Sequence, residues 1–247
     1  TLEGTPQGGP LSPFLSNVVL DELDRELEQR GHRFVRYADD CNIYVRSRRA
    51  GERVLASLKQ FISHKLKLRV NEAKSAVDKP CQRKFLGFSF TAGPNPKRRI
   101  APQAIERHKH KVRTITRPTK GRSIEDVVAV LNRYLRGWIG YFGFCQARSV
   151  LKELDGWIRR RLRSYLWRQW KTGKQRFSEL RRQGVSVTDA RAVAGSGRGP
   201  WFMSKCRPIQ KALTNSYLRS IGLLSLFDMA TPKPTEPPCT RPVRTVV

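Results

Sequence analysis

Four consecutive residues, Tyr37-Ala38-Asp39-Asp40, set two carboxylates side by side between two apolar runs. Adjacent acids repel each other, and folding gains nothing obvious from crowding them. A divalent cation would remove that repulsion. Mg²⁺ takes one or two protein carboxylates and completes its shell with phosphate oxygens and water. Two such ions about 3.5–4 Å apart stabilise both the attacking and the leaving oxygen in phosphoryl transfer. The chemistry open to these residues is therefore attack on a phosphate. A plain turn reads the same way, because Asp suits turns.

A second feature precedes this one. Thr5-Pro6-Gln7-Gly8-Gly9-Pro10-Leu11-Ser12-Pro13 runs straight into an apolar-periodic stretch. Glycines let backbone approach a ligand, and a helix N-terminus offers free N–H groups to a phosphate or base. An ordinary capped loop is the alternative. The third feature is a basic run. Leu151, Leu154, Trp157, Ile158, Leu162, Leu166 and Trp170 form one apolar stripe, and Arg159, Arg160, Arg163, Arg168 and Lys171 fall largely off it. Arginine grips phosphate with two donors and stacks on bases. A charge run usually means a solvated face, but acids are scarce here.

These groups need elements to position them. Pro13 to Arg30 reads as a helix, with Ser12 as N-cap and Leu15, Val18, Val19, Leu23 and Leu27 on one face. Residues 34–37 and 42–45 read as short strands around the acidic turn. Ala50 to Lys67 reads as a second amphipathic helix, and Lys84 to Phe90 as a strand that can serve as one arm of a hairpin ending near Ile100. Gly93-Pro94-Asn95-Pro96 interrupts the pattern. Beyond it the periodicity gives helices at about 103–117, 123–142, 147–172 and 208–221. Residues 232–247, with five prolines, read as a disordered tail.

Bulk properties agree with a polyanionic partner. The 247 residues hold 49 Lys and Arg against 20 Asp and Glu, a net charge of +29. Residues 1–92 carry 16 cations and 11 acids, and residues 93–247 carry 33 and 9, so the excess lies in the second part. Self-repulsion of that size is easier to understand with nucleic acid bound. No apolar run approaches the roughly 20 residues that span a bilayer, so no membrane is expected. The five cysteines include no C-x-x-C pair, which fits reduced thiols and a cytoplasmic location. His108 and His110 have no Cys or acid cluster nearby, so no metal is expected there.

The order TPQGGPLSPFLSN, FVRYADDCNIYV, LKLRVNEAKS and KFLGFSF resembles the second half of a reverse transcriptase palm. The alanine in YADD is similar to the group II intron branch. LNRYLRGWIGYF, WIRRRLR, WRQW, Gly199-Pro200-Trp201 and Asn215-Ser216-Tyr217-Leu218 resemble that branch's maturase domain, which is also its thumb. The resemblance implies an α+β chain, a partial palm of antiparallel sheet and helices followed by an all-α maturase/thumb domain. It places the palm at 1–92, a linker or hairpin at 93–104, the thumb at 105–231 and the tail at 232–247. Partners would be group II intron RNA, an RNA template with DNA primer, and dNTPs, with Mg²⁺ as cofactor.

By that resemblance Asp39 is a metal-binding catalytic aspartate and Asp40 its neighbour. Lys74 matches a lysine that protonates the leaving pyrophosphate; a surface lysine beside Glu72 is the alternative. Gln7, Gly8 and Gly9 line the template and nucleotide pocket, Tyr37 sits near the primer end, and Phe85, Gly87 and the strand to Phe90 steer the primer terminus. Two readings without polymerisation stay open: a splicing factor that only binds intron RNA, and a basic RNA-binding module of other ancestry. A retron or CRISPR-associated reverse transcriptase is a further alternative, disfavoured by residues 131–227. The family's other catalytic aspartate lies on a strand upstream of the glycine loop, and the only acid before Thr5 is Glu3. The 247 residues are therefore expected not to extend a primer with Mg²⁺ and dNTPs. Template-dependent synthesis in a primer-extension assay would overturn that expectation.

Overall fold

The computed structural model describes residues 9–118 and 121–230, and the backbone of Arg244–Val246. Two compact units result. One holds the residues up to Ala101 together with Arg244–Val246; the other begins at Pro102.

In the first unit, α1 (Ser12–Gln29) leads to the antiparallel hairpin β1 (Arg33–Tyr37) and β2 (Asp40–Val45). Next come α2 (Arg48–His64), β3 (Val77–Asp78) and a small hairpin of β4 (Phe88–Phe90) and β5 (Arg98–Ile100). Alternate apolar residues on β2 and the α2 stripe meet the last turns of α1. Leu23, Leu27, Ile43, Val45 and Leu58 form the core, with Phe34, Val54 and Phe61 packed around them. Ser47 caps α2 by accepting from the Ala50 amide at 3.2 Å. The cap expected at Ser12 is displaced. Leu11 occupies that position without a side-chain hydrogen bond, because Pro13 already supplies the helical φ of the first turn. The apolar stripe of α1 is buried only at Leu23 and Leu27. Phe14, Leu15, Val18 and Val19 are exposed, since core contacts reach only the second half of the helix.

The segment expected to be a strand from Lys84 to Phe90 folds back on itself. Phe85 and Phe88 exchange two backbone hydrogen bonds of 2.9 Å around Leu86 and Gly87, whose φ values are +50° and +77°. Two positive φ angles define a type I′ turn, which Gly87 favours. Of the tail expected to be disordered, residues 232–243 and 247 lie outside the described residues. Arg244–Val246 instead form β6, antiparallel to both β2 and β3, in a sheet of order β1-β2-β6-β3. β2 and β3 are joined through α2 and run the same way, which leaves a slot for one strand between them.

In the second unit, α3 (Pro102–Ile115), α4 (Ile124–Phe142) and α5 (Ser149–Gln169) match the expected helices within a few residues. α6 (Gly173–Arg182) and α7 (Val187–Ala194) were not expected. Thr172 and Ser186 cap them; α6 carries only two large apolar side chains, Phe177 and Leu180, and α7 is only about two turns long, too short for periodicity to mark it. The helix expected at 208–221 is two, α9 (Arg207–Ala212) and α10 (Asn215–Ser220), because Thr214 caps a fresh start through the Tyr217 amide. The short α8 (Pro200–Met203) and α11 (Leu226–Met229) complete the unit.

α5 is buried well beyond one stripe: Leu151, Leu154, Ile158, Leu162 and Leu166 pack on one side, and Tyr165 and Trp167 are buried as well. Two polar clamps fix what surrounds it. Asp155, 3% exposed, accepts from Ser225 Oγ and from the amides of Leu226 and Phe227, capping α11. Asn132 donates to the Gly222 carbonyl and accepts from the Leu224 amide.

His108 is buried against Trp138, with ring centroids 4.2 Å apart, and its Nδ1 lies 3.2 Å from the Tyr134 hydroxyl. Its Nε2 has no hydrogen-bond partner. Burial, followed by the charge of Lys109, pushes the imidazole down from 6.5 to about 4. The unfolded chain then takes up a proton between those values and the folded chain does not. The stabilising neutral form is fully present above pH 6.5 and its contribution falls as pH drops towards 4. Between pH 7 and 5 the loss amounts to about 2 kcal/mol. Urea melts of the full chain should show this loss, and His108→Phe should remove it; an unchanged pH dependence in the variant would contradict the assignment.

Candidate functional site

The acidic tip is a two-residue turn. Tyr37 pairs with Asp40, so Ala38 and Asp39 alone connect the strands. Ala38 has φ +53° and Asp39 does not share the positive sign, the pattern of a type II′ turn, where glycine is usual. A side chain there carries strain of about 1–2 kcal/mol. Arg36 holds the strained turn. Its Nη1 donates to the Ala38 carbonyl at 2.9 Å and to Asn17 Oδ1 at 3.0 Å. Its Nε and Nη2 grip the Asp24 carboxylate at 2.8 and 2.6 Å. Both Asn17 and Asp24 belong to α1, so one guanidinium ties the tip to the helix that follows the glycine loop. The hydrogen bond to Asp24 holds the Arg36 guanidinium above its ordinary pKa, which strengthens the tie.

Beyond this tie the tip is open. Tyr37, Asp39 and Asp40 are exposed, and no hydrogen bond or ion pair occupies either carboxylate. Cys41, next in the chain, is pushed up to about 11 by burial, so it is a neutral thiol at neutral pH. Among the described residues no three His, Cys, Asp or Glu side chains converge on a cation site. Two exposed carboxylates fit one Mg²⁺ whose shell is completed by phosphate and water. They fall short of the ligand set that two ions require.

The other palm positions are distributed as follows. Gln7 and Gly8 lie outside the described residues. Gly9 accepts the Ser12 amide at 3.1 Å and opens α1. Lys74 is exposed in the turn before β3. Its ammonium is not neutralised by Glu72, which pairs with Lys59 at 2.8 Å. Through β6, Val77 is level with Ile43, so Lys74 precedes β3 at the same end of the sheet as Asp40. Phe85 and Gly87 form the type I′ turn rather than a strand, with Leu86 at its exposed tip.

The basic run divides in two. Arg160 Nη2 donates to the Trp201 carbonyl at 3.0 Å and its Nε to Ser204 Oγ at 3.3 Å. Arg163 donates to the Leu213 carbonyl at 2.8 Å and to Asn215 Oδ1 at 3.1 Å. Arg159 lies 3.9 Å from buried Asp155. Arg168 and Lys171 are exposed, with no side-chain partner. The first three thus engage the protein itself, and the last two face outward. Sequence reasoning passed over four further cations in the same condition: Arg107 and Lys111 on one face of α3, and Arg133 and Arg136 on one face of α4. Their spacing of four and three was the available signal. A groove of about 370 Å³ between α3 and α5 has Glu106 and Glu153 in its lining, and so is ill suited to phosphate.

Comparison with known families agrees with this geometry. Residues 1–90 match the reverse transcriptase (RNA-dependent DNA polymerase) family, which places the first unit in a polymerase palm. Residues 105–184 match the group II intron, maturase-specific domain. The chain belongs to the group II intron reverse transcriptase/maturases. Such enzymes usually need a divalent metal. No curated protein matches the chain. No helix among the described residues is long and apolar enough to cross a membrane.

The tie through Arg36 has a measurable weight. Arg36→Ala should lower stability by about 2–3 kcal/mol, because it leaves a partly buried carboxylate and a strained turn without their donor. Arg25→Ala, whose pair with Asp21 stands in solvent, should cost under about 1 kcal/mol. Equal costs in urea denaturation would show that the tip is not held this way.

Proposed function

We propose that this chain acts on group II intron RNA through the outward cations of its helical unit, and that Asp39 and Asp40 contribute a Mg²⁺ position to DNA synthesis on an RNA template. The observation that carries the first part is the set Arg107, Lys111, Arg133, Arg136, Arg168 and Lys171. All six are exposed, five on helices and Lys171 just past the end of α5, and none has an acid, carbonyl or ring partner. Uncompensated cations of this kind attract a polyanion, and duplex or folded RNA supplies phosphates at every nucleotide.

In the polymerase reaction a primer 3′-hydroxyl oxygen loses its proton to water and bonds to the α-phosphorus of a dNTP, and the bond from that phosphorus to the bridging oxygen of pyrophosphate breaks. Mg²⁺, when bound, supplies positive charge to the phosphates. Asp39 and Asp40, exposed at the hairpin tip, would hold it. Lys74, unpaired and at the same sheet end, is suited to give a proton to the departing pyrophosphate. Tyr37, exposed beside the acids, would meet the primer end. Splicing assistance without polymerisation is the second reading, and the outward cations of the helical unit, which matches the maturase-specific domain, favour it.

Binding of a structured intron RNA, followed by fluorescence anisotropy over a salt series, tests the first part. Arg168→Glu with Lys171→Glu should weaken binding and lower the magnitude of the salt slope by about 1.5–2. Arg160→Glu with Arg163→Glu should instead lower the melting temperature, because it breaks internal hydrogen bonds. An unchanged slope in the first pair would refute phosphate contact by these residues.

A further inference from the structure

The segment Gly199-Pro200-Trp201 lies beyond residues 105–184, the stretch that matches the maturase-specific domain. It begins α8, where two neighbouring aromatic side chains stand in solvent, Trp201 at 38% and Phe202 at 50% exposure. Each carries a guanidinium. The Arg160 guanidinium carbon is 3.7 Å from the Trp201 ring centroid, with that of Arg161 at 5.9 Å, and that of Arg198 is 4.7 Å from the Phe202 ring. The backbone beneath them is fixed. The Trp201 carbonyl accepts from Arg160 and from Ser204 Oγ, the latter at 2.7 Å, and Met203 is buried. The rings are therefore positioned before any ligand arrives.

Packing of α8 on α5 accounts for the contact of Arg160 with Trp201. It does not account for Phe202, half of which is in water. The surrounding charge decides what such a surface would meet. From Ser196 to Lys211 the chain holds Arg198, Lys205, Arg207 and Lys211 and no acid, and only Lys211 has an acidic partner, Asp189 at 3.3 Å. A ligand with flat apolar faces and negative charge fits both properties. Unpaired nucleotides have them: bases stack on aromatic rings and on arginine planes while phosphates meet the cations. In a duplex those base faces are covered by neighbouring pairs.

We propose that Trp201 and Phe202, with Arg160, Arg161 and Arg198, form a stacking subsite for unpaired nucleotides of a single-stranded RNA. The proposal rests on the reading that this chain binds RNA and adds a place where it distinguishes open strands from helices. Phenylalanine has no hydrogen-bonding edge and indole has one donor, so the subsite tolerates any base.

The full chain is titrated into a fluorescently labelled 12-nucleotide oligo(A) RNA and into a blunt 12-base-pair RNA duplex, each over a salt series. Phe202→Ala and Trp201→Leu should each weaken oligo(A) binding about tenfold, with the salt slope unchanged and duplex affinity altered less than twofold. Trp201→Tyr should retain most of the affinity. Equal loss on both RNAs, no loss on either, or a reduced salt slope would overturn the subsite. If Trp201→Leu does not fold, Phe202→Ala decides alone, because that side chain is half in solvent. If the unaltered chain binds neither RNA, the RNA-binding reading fails and the subsite with it. Binding of both with aromatic variants unaffected overturns the subsite only. Loss of self-association in the variants, with oligo(A) binding intact, assigns the patch to a second copy of the chain and also overturns it.

Discussion

A shortage of acids governs how this chain is built. With 49 cations and 20 acids, most arginines cannot be paired by carboxylates, and a guanidinium left in a half-buried position without acceptors is costly. The helical unit solves this with carbonyl oxygens and ring faces. Arg148 donates to the Phe227 and Ala230 carbonyls and lies over the Phe227 ring; Arg176 donates to the Trp170 carbonyl and covers Trp167; Arg181 closes on the Val185 carbonyl. Arg160 and Arg163 do the same on α8 and at the α9–α10 junction. Many of these carbonyls lie at or just beyond helix ends, where backbone acceptors lack intrahelical donors. One residue type thus satisfies the ends of short helices and keeps its charge. The exposed cations that find no such oxygen, Arg168 and Lys171 among them, carry charge that nothing in the protein offsets.

The palm piece follows the opposite rule. Its acids are numerous enough to be selective, and the arrangement at the hairpin tip separates two kinds. Asp24 is consumed by Arg36 in a fork-shaped pair, while Asp39 and Asp40 are left bare. A tip whose strained alanine turn is tied to α1 cannot relax to bring those carboxylates to a neighbouring cation. The tie therefore leaves both carboxylates in solvent at the end of the hairpin.

Much of this was legible in the sequence. The YADD hairpin, the helices α1 to α5 and the charge asymmetry follow from alternation, periodicity and composition, because those features are local. What was not legible depended on partners distant in the chain. Nothing near Arg160 or Arg163 announces that Trp201 and Leu213 present carbonyls to them 41 and 50 residues away. The exposed half of the α1 stripe looked like core because periodicity reports which face is apolar and not whether something covers it. Leu86-Gly87 looked like strand because the flanking phenylalanines dominate its pattern, although the glycine was the signal for a type I′ turn.

The sheet sets what can lie beside the tip. β2 and β3 run the same way with one strand's width between them, and β6 fills that width only beside Ile43 to Val45. The described residues leave the inner edge of β2 without a strand partner at Asp40 and Cys41, immediately beside the turn. A strand continuing through that stretch would run about 4.8 Å from Asp40. Register would decide which side chains of such a strand reach the tip, because a shift of one residue turns every side chain to the opposite face of the sheet.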